Sequence, residues 1–461
     1  MTTILSIDAS QRLDSRGNPT VQVCLRTDKG KLTSLSAPHF HTDILSAGTF
    51  RSIVPSGASK GDYEAAELRD GNEKEYHGQG VLGAVENVTR VLAPQIIDKN
   101  FQLPEDVRKI DAFMIELDGT QDKGKLGANA ILAISMAVWR AAASAKGVPL
   151  YQFLQQSCGT QQSYVMPVPF FNVLNGGVHS GNTMAFQEFM IAPVGADSMT
   201  EAVRMGAEVY QSLKGVIVKQ YGPSAIGVGD EGGFSPPILT PHEGLDLLVT
   251  AIEASGHAGK VKIGIDPASQ EFFNEKDHSY DLGFKRKSSE QGVNFDAEAL
   301  AKLYYEILEQ YPVVLLEDPF GQDDWPAWTS FNADCSIELV GDDLLATNRG
   351  RIEKAHQEKA CNALLLKINQ IGTITEAIDA AKQAYSYGWS VFVSHRSGET
   401  TDDFIADLTV GLGTGHLKSG SPCRGERVAK YNRLLDIEEE LMRIGDKALY
   451  AGENFRVKHD S

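Results

Sequence analysis

Five short stretches decide the fold: VKIGID (Val261–Asp266), VVLLE (Val313–Glu317), IELVGD (Ile337–Asp342), ALLLK (Ala363–Lys367) and SVFVSH (Ser390–His395). Each is an apolar, largely β-branched or leucine-rich run that stops at an ionisable residue. Helix-like stretches lie between them, such as Asp296–Gln310 and Thr373–Tyr387. Buried strands alternating with helices predict parallel βα units. The terminating residues Asp266, Glu317, Asp342, Lys367 and His395, followed by Lys418, recur about every 25 residues, with one gap about twice as long, as expected for one ionisable group per unit of a βα barrel. In such a barrel the C-terminal strand ends converge on one mouth, where active sites lie.

An acidic residue after a strand can simply cap the next helix. Six ionisable residues in step, three of them carboxylates followed by a base-capable lysine, point instead to a site. Three converging carboxylates repel one another unless a cation sits between them. Hard oxygen ligands of this kind suit Mg²⁺, which keeps some waters and binds substrate oxygens.

Composition narrows the function classes. The chain has 461 residues with a formal charge of −18. Its hydrophobic content of 42% allows a large core and excludes disorder as the main state. An acidic surface repels phosphate backbones, so nucleic acid is not an expected partner. The five cysteines are widely spaced without a CxxC pair, which argues against a disulfide framework or a cysteine-ligated zinc. No secretory signal is visible at the start, and no apolar run approaches the ~20 residues of a membrane span. The expected compartment is the cytoplasm.

Towards the N-terminus, Val21, Val23 and Leu25 alternate with polar residues and read as a half-buried strand. Asp28-Lys29-Gly30 reads as a turn. Lys125–Lys146 is an alanine- and leucine-rich helix stopped by Gly147 and Pro149. The polar stretch Gln155–Ser163 is the candidate boundary, placing an N-terminal α+β domain at 1–157 and the barrel at 158–461.

Further motifs carry chemistry. Ser56-Gly57-Ala58-Ser59-Lys60-Gly61 is a small loop able to close over a ligand, although most such loops are plain turns. Asn175–Gly181 (NGGVHSG) sets His179 in a glycine-rich loop. Gln187-Glu188 and Gly229-Asp230-Glu231-Gly232-Gly233 add carboxylates where backbone can approach a ligand closely. Ser394-His395-Arg396-Ser397-Gly398-Glu399 combines hydroxyls with an arginine, suited to clamp phosphate or carboxylate.

Together with DSRGNPT (Asp14–Thr20), VPSGAS (Val54–Ser59), KLGANAI (Lys125–Ile131), NVLNGG (Asn172–Gly177), QEFMIAP (Gln187–Pro193), GDEGG (Gly229–Gly233), EDPF (Glu317–Phe320), LLLKINQIGT (Leu364–Thr373) and SHRSGET (Ser394–Thr400), these motifs closely resemble the enolase family over nearly the whole chain. The resemblance implies an N-terminal α+β domain with mobile loops, and a modified TIM-type barrel whose early strands are not all parallel. It implies a glycolytic and gluconeogenic lyase that interconverts 2-phospho-D-glycerate and phosphoenolpyruvate, as a homodimer with two Mg²⁺ per active site. By position, Asp266, Glu317 and Asp342 match ligands of the first Mg²⁺, with Glu317 and Asp342 also near substrate. Ser56 matches a loop ligand of the second. Lys367 matches the general base, and Glu231 the general acid with Glu188 as its partner. His179, Ser394, His395, Arg396 and Ser397 match substrate contacts, and Lys418 a ligand of the substrate carboxylate. Removing the C2 proton builds an ene-diolate whose charge two Mg²⁺ and a lysine offset, an arrangement established for the superfamily. On this reading Lys367 must be neutral to act, and neighbouring carboxylates keep Glu231 protonated.

Residues 31–48 (KLTSLSAPHFHTDILSAG) have no counterpart in the family pattern. They read either as a surface loop extension or, preferably, as untranslated intron sequence read through in the gene model, since Gly30-Lys31-Leu32 can be encoded by a run beginning GGTAAGTT. Tryptic peptides from within 31–48 of the native protein would exclude the intron. Lys60 and Tyr63 also depart from the family. Two other readings remain: another barrel enzyme that abstracts a proton beside a carboxylate, and a catalytically inactive homologue with a structural or surface-binding role.

Overall fold

The computed structural model describes residues 1–28, 48–57, 61–159, 163–286, 293–446 and 448–457. The expected turn at 28–30 and the atypical segment 31–48 fall almost wholly outside the described residues, as does Lys60.

The N-terminal part is an antiparallel sheet in the order β3-β2-β1-β4, built from β1 (Thr2–Leu13), β2 (Pro19–Thr27), β3 (Thr49–Ile53) and β4 (Gln102–Leu103). Val21, Val23 and Leu25 lie on one face of β2 and are fully buried. They pack beneath α1 (Ala128–Lys146). This helix begins later than the composition suggests because Gly127 stands at φ +95°, outside helical space. A side chain there would also collide with Leu68. By length and apolarity α1 would pass for a membrane span, but 83% of its apolar 18-residue stretch is buried within the protein. It is the core helix of this domain.

Eight strands close the barrel: β5 (Val168–Asn175), β6 (Glu188–Ala192), β7 (Lys262–Asp266), β8 (Val313–Glu317), β9 (Glu338–Gly341), β10 (Ala363–Leu366), β11 (Ser390–Ser394) and β12 (His416–Lys418). All pairs are parallel except those made by β6, which runs against both β5 and β7. The lumen is filled by Phe170, Leu315, Val340, Leu365 and Phe392, so the barrel is a packed core open to chemistry only at its ends. Helices cover the outside. Among them are α2 (Ala297–Gln310) and α3 (Ile374–Ser386), each starting one residue after the expected position because Asp296 and Thr373 serve as side-chain caps. The last long helix, α4 (Gly425–Arg443), packs against the helices Phe404–Leu412 and Met199–Tyr221.

Candidate active site

Barrel closure turns the repeating strand ends into a ring. Asp266 ends β7, Glu317 ends β8 and Lys418 ends β12, while Asp342, Lys367 and His395 directly follow β9, β10 and β11. Glu188 joins them by a different route. It opens β6, and because that strand is reversed its first residue lies at the mouth, paired across the sheet with Asp266.

At the centre is the buried ammonium of Lys418. Its Nζ is 2.7 Å from Glu317 Oε1, 3.0 Å from Glu188 Oε2 and 3.3 Å from Asp266 Oδ2. Burial disfavours its charge, but the carboxylates of Glu188, Glu317 and Asp266 outweigh that and hold Lys418 well above the ordinary lysine range. The same burial, with Asp266 adding repulsion, pushes Glu317 well above the usual carboxylate range.

Lys367 pairs with Asp342 Oδ2, while Gln370 Nε2 donates to Asp342 Oδ1 at 2.9 Å. Burial lowers the Lys367 value, yet Asp342 more than offsets this, so Lys367 is held charged here rather than neutral. Arg396 and Lys418 push it towards the neutral form.

The two carboxyls of the acid pair are shifted in opposite directions. Burial raises Glu231, but His395, His179 and Arg427 overcome it and hold Glu231 well below the carboxylate range. Burial and the charge of Glu231 push Glu188 well above it. Within the pair the surroundings favour the charged form of Glu231 and the neutral form of Glu188, because the histidines and arginine face Glu231. Glu231 Oε2 accepts from Asn172 Nδ2 at 2.8 Å. His179 Nδ1 stands 3.5 Å from Glu231 Oε1 and 3.8 Å from Glu188 Oε1.

One cavity is lined by Glu188, Glu231, Asp266, Asp342, Lys367 and Lys418, and also by His179, Ser394, His395, Arg396 and Ser397. Arg396 donates to Glu64 Oε1 at 3.1 and 3.2 Å. Ser394 Oγ donates to the His395 carbonyl. Ser56 is placed elsewhere. Its hydroxyl donates to Glu67 Oε2 at 3.0 Å and accepts from Arg69 Nη2 at 2.9 Å, in the adjoining cavity beside Asn129 and Asn369. The structure does not bring it to the carboxylates. The local cause is a two-way backbone bridge, Ser56 N to Gly398 O and Gly398 N to Ser56 O, both 2.8 Å.

The cavity also contains residues that the sequence reading missed: Glu64, Glu271, Asp318 and Asp343. Asp318 and Asp343 each follow an expected ligand directly in EDPF and GDD, which was the available clue. Asp318 accepts from the backbone N–H of Asp342 and Asp343 at 2.9 and 2.7 Å. Asp343 is pushed up to about 8 by burial and by Asp342. Arg427 touches the loops behind the cavity and carried no motif.

Among the described residues, His179–Glu188–Glu231 and Asp318–Asp342–Asp343 each bring three ligating atoms within 4.8 Å of one another. The expected set Asp266–Glu317–Asp342 is divided, with Asp266 and Glu317 meeting Lys418 and Asp342 meeting Lys367. Glu317 Oε2 is buried without a hydrogen-bond partner. A buried, oxygen-only, multiply anionic donor set fits a hard divalent cation.

Two family models match this chain in tandem. The enolase N-terminal domain matches residues 4–154, and the enolase C-terminal TIM barrel domain matches residues 163–459. With a closed eight-stranded barrel behind a small α+β domain and an acidic site at the strand ends, the chain belongs to the enolase family.

Proposed function

We propose that this protein is a Mg²⁺-dependent cytoplasmic lyase, acting as a homodimer, that reversibly dehydrates 2-phospho-D-glycerate to phosphoenolpyruvate and water. The observation that carries this reading is the meeting of Lys367 with the Glu188–Glu231 pair in one cavity that is also lined by the carboxylates Asp266 and Asp342 and the cations Arg396 and Lys418. That is the equipment for taking a proton from one carbon and giving one to a leaving hydroxyl on the next.

Asp266, Glu317 and Asp342 would hold Mg²⁺, which would supply positive charge against the anion that develops on the substrate carboxylate. Lys418 offers a second, fixed cation to that carboxylate. Arg396 and Ser397 hold the phosphate. Lys367 Nζ, in its neutral form, accepts the C2 proton, and the electron pair moves towards the carboxylate. The pair then returns to form the C2–C3 double bond as the C3 hydroxyl departs. Hydroxide leaves poorly, so the carboxyl pair donates a proton to it and water results. Glu231 makes that donation, and to do so it must first take up a proton, since His395, His179 and Arg427 favour its charged form. Participation of Ser56 at a second Mg²⁺ requires its hydroxyl to leave Glu67 and Arg69.

Deuterium incorporation at C2 of 2-phosphoglycerate in heavy water, followed by NMR, tests the assignment. Lys367→Ala should abolish both turnover and exchange. Glu231→Gln should lose dehydration but keep exchange. Exchange surviving in Lys367→Ala would remove Lys367 from the role of base.

A further inference from the structure

Arg427, on α4, is fully buried, and its hydrogen bonds reach three separate chain segments behind the cavity. Nη1 donates to the Arg396 carbonyl at 2.6 Å and to His395 Nδ1. Nη2 donates to the Ser397 carbonyl at 2.6 Å, the Asp230 carbonyl at 3.1 Å and Ser15 Oγ at 3.4 Å. One guanidinium thus ties the loop after β11, the Asp230–Glu231 loop and the N-terminal DSRGN turn together.

The contact with His395 carries chemical information. A guanidinium has N–H donors and no acceptor, and it stays charged. The imidazole nitrogen facing it can only accept, so Nδ1 carries no proton. In a neutral ring the proton then sits on Nε2. That atom is buried, has no hydrogen-bond partner, and lies 3.5 Å from Glu231 Oε2. Contacts of this length in a ligand-free site commonly tighten when substrate binds. Burial and the adjacent Arg427 also work against an imidazolium here.

We propose that Arg427 is a positioning residue that fixes His395 as its Nε2–H tautomer, so that His395 presents a proton donor, not a base, to Glu231. The consequence rests on the reading of Glu231 as the acid. His395 stabilises the carboxylate that Glu231 becomes after giving up its proton. His395 cannot compete with Lys367 or Glu231 as an acceptor on the face held by Arg427. The same guanidinium sets the spacing between the Arg396–Ser397 clamp and the Glu231 loop, because it holds the carbonyls of both.

Long-range ¹H–¹⁵N correlation NMR of the Mg²⁺-loaded full chain, labelled with ¹⁵N-histidine and with His395 assigned through His395→Asn, reads the tautomer directly. The expected result is an unprotonated, pyridine-type Nδ1 and a protonated Nε2. A protonated Nδ1 in the unsubstituted protein overturns the proposal, whether or not the protein dehydrates 2-phosphoglycerate. Conversely, absent dehydration with the expected tautomer would count against the functional reading and leave the tautomer assignment standing.

Kinetics supply the second arm. Loss of a group that holds a catalytic histidine in its working tautomer costs up to about 10⁴-fold in kcat. Arg427→Met should lower kcat by at least about 10²-fold with KM changed less than about threefold. Arg427→Lys, which keeps a donor, should recover about tenfold or more of that loss. Should Arg427→Met fail to fold, the comparison is made with Arg427→Lys against His395→Asn. The double variant should then be no slower than His395→Asn alone, since both changes remove one interaction. Fully additive losses would show that Arg427 acts elsewhere and would overturn the proposal.

Discussion

Replacing Lys418 by Met removes the positive charge on which three buried carboxylates converge. At an effective dielectric constant of about 20, a contact at the Lys418–Glu317 distance of 2.7 Å is worth roughly 6 kcal/mol of attraction. Much of that offsets the cost of burying the ammonium. Measured losses on removing one partner of a buried pair are about 3–5 kcal/mol. Unfolding entropy of about 2.1 cal/mol/K per residue gives roughly 1 kcal/mol/K for 461 residues, so Lys418→Met should lower Tm by about 3–5 °C in chelator. Mg²⁺ should return most of this, because a divalent cation replaces the missing charge and stabilises the state that binds it. The deficit should also depend on pH. Glu317 and Glu188 have folded values raised above their unfolded ones. Their contribution to stability is therefore greatest at acid pH and is lost as pH rises through those raised values. Without Lys418 that loss is larger, so the deficit should be wider at pH 8 than at pH 5. Differential scanning calorimetry at one scan rate, with chelator and with Mg²⁺, measures each quantity. An unchanged Tm in chelator, or a deficit that Mg²⁺ leaves untouched, would refute the view that Lys418 is the counter-ion of this carboxylate set.

Asp342→Ala should weaken Mg²⁺ binding by titration calorimetry and lower activity, with partial rescue by excess Mg²⁺; full activity in chelator would contradict its assignment as a ligand. Ser56→Ala should lower turnover more than it weakens the first Mg²⁺, and calorimetry showing only that first site weakened would contradict a role at the second. Asp402 lies in a bidentate pair with Arg140 of α1, at 2.8 and 2.9 Å, and joins the N-terminal part to the barrel. Burial raises its value, but Arg140 outweighs this and holds Asp402 below the ordinary aspartate range. Its stabilisation is therefore present above about pH 4 and is lost as pH falls through the depressed value. Asp402→Asn should lower Tm at pH 7 and flatten the acid limb below about pH 4; an unchanged acid limb would show that this pair does not couple the two parts.

Much of the barrel was legible in the sequence, and the reason is geometric. A buried parallel strand must be apolar along its length, and the first position free to be ionisable is where it ends. Asp266, Glu317, Asp342, Lys367, His395 and Lys418 therefore announce both the repeat and the mouth. The N-terminal strand at Val21–Leu25 was legible for a similar local reason, since a two-residue alternation reports one buried face. What the tertiary structure decided is everything that depends on which groups meet. Glu188 stands at the start of its strand, and only the reversal of β6 brings it to the ring. The surroundings favour charge on Glu231 over Glu188 because His179, His395 and Arg427 surround Glu231, and these come from three distant segments. Ser56 matches a metal ligand only through the family resemblance, and its backbone bridge to Gly398 and its contacts with Glu67 and Arg69 place it in the adjoining cavity. Arg427 belongs to an ordinary amphipathic helix and has no motif, because its importance lies in carbonyls and a ring nitrogen contributed by other loops. Sequence patterns record burial, which is a property of each residue in its own element. Partners, protonation and tautomers are set by electrostatics between residues far apart in the chain, and those distances exist only in the folded protein.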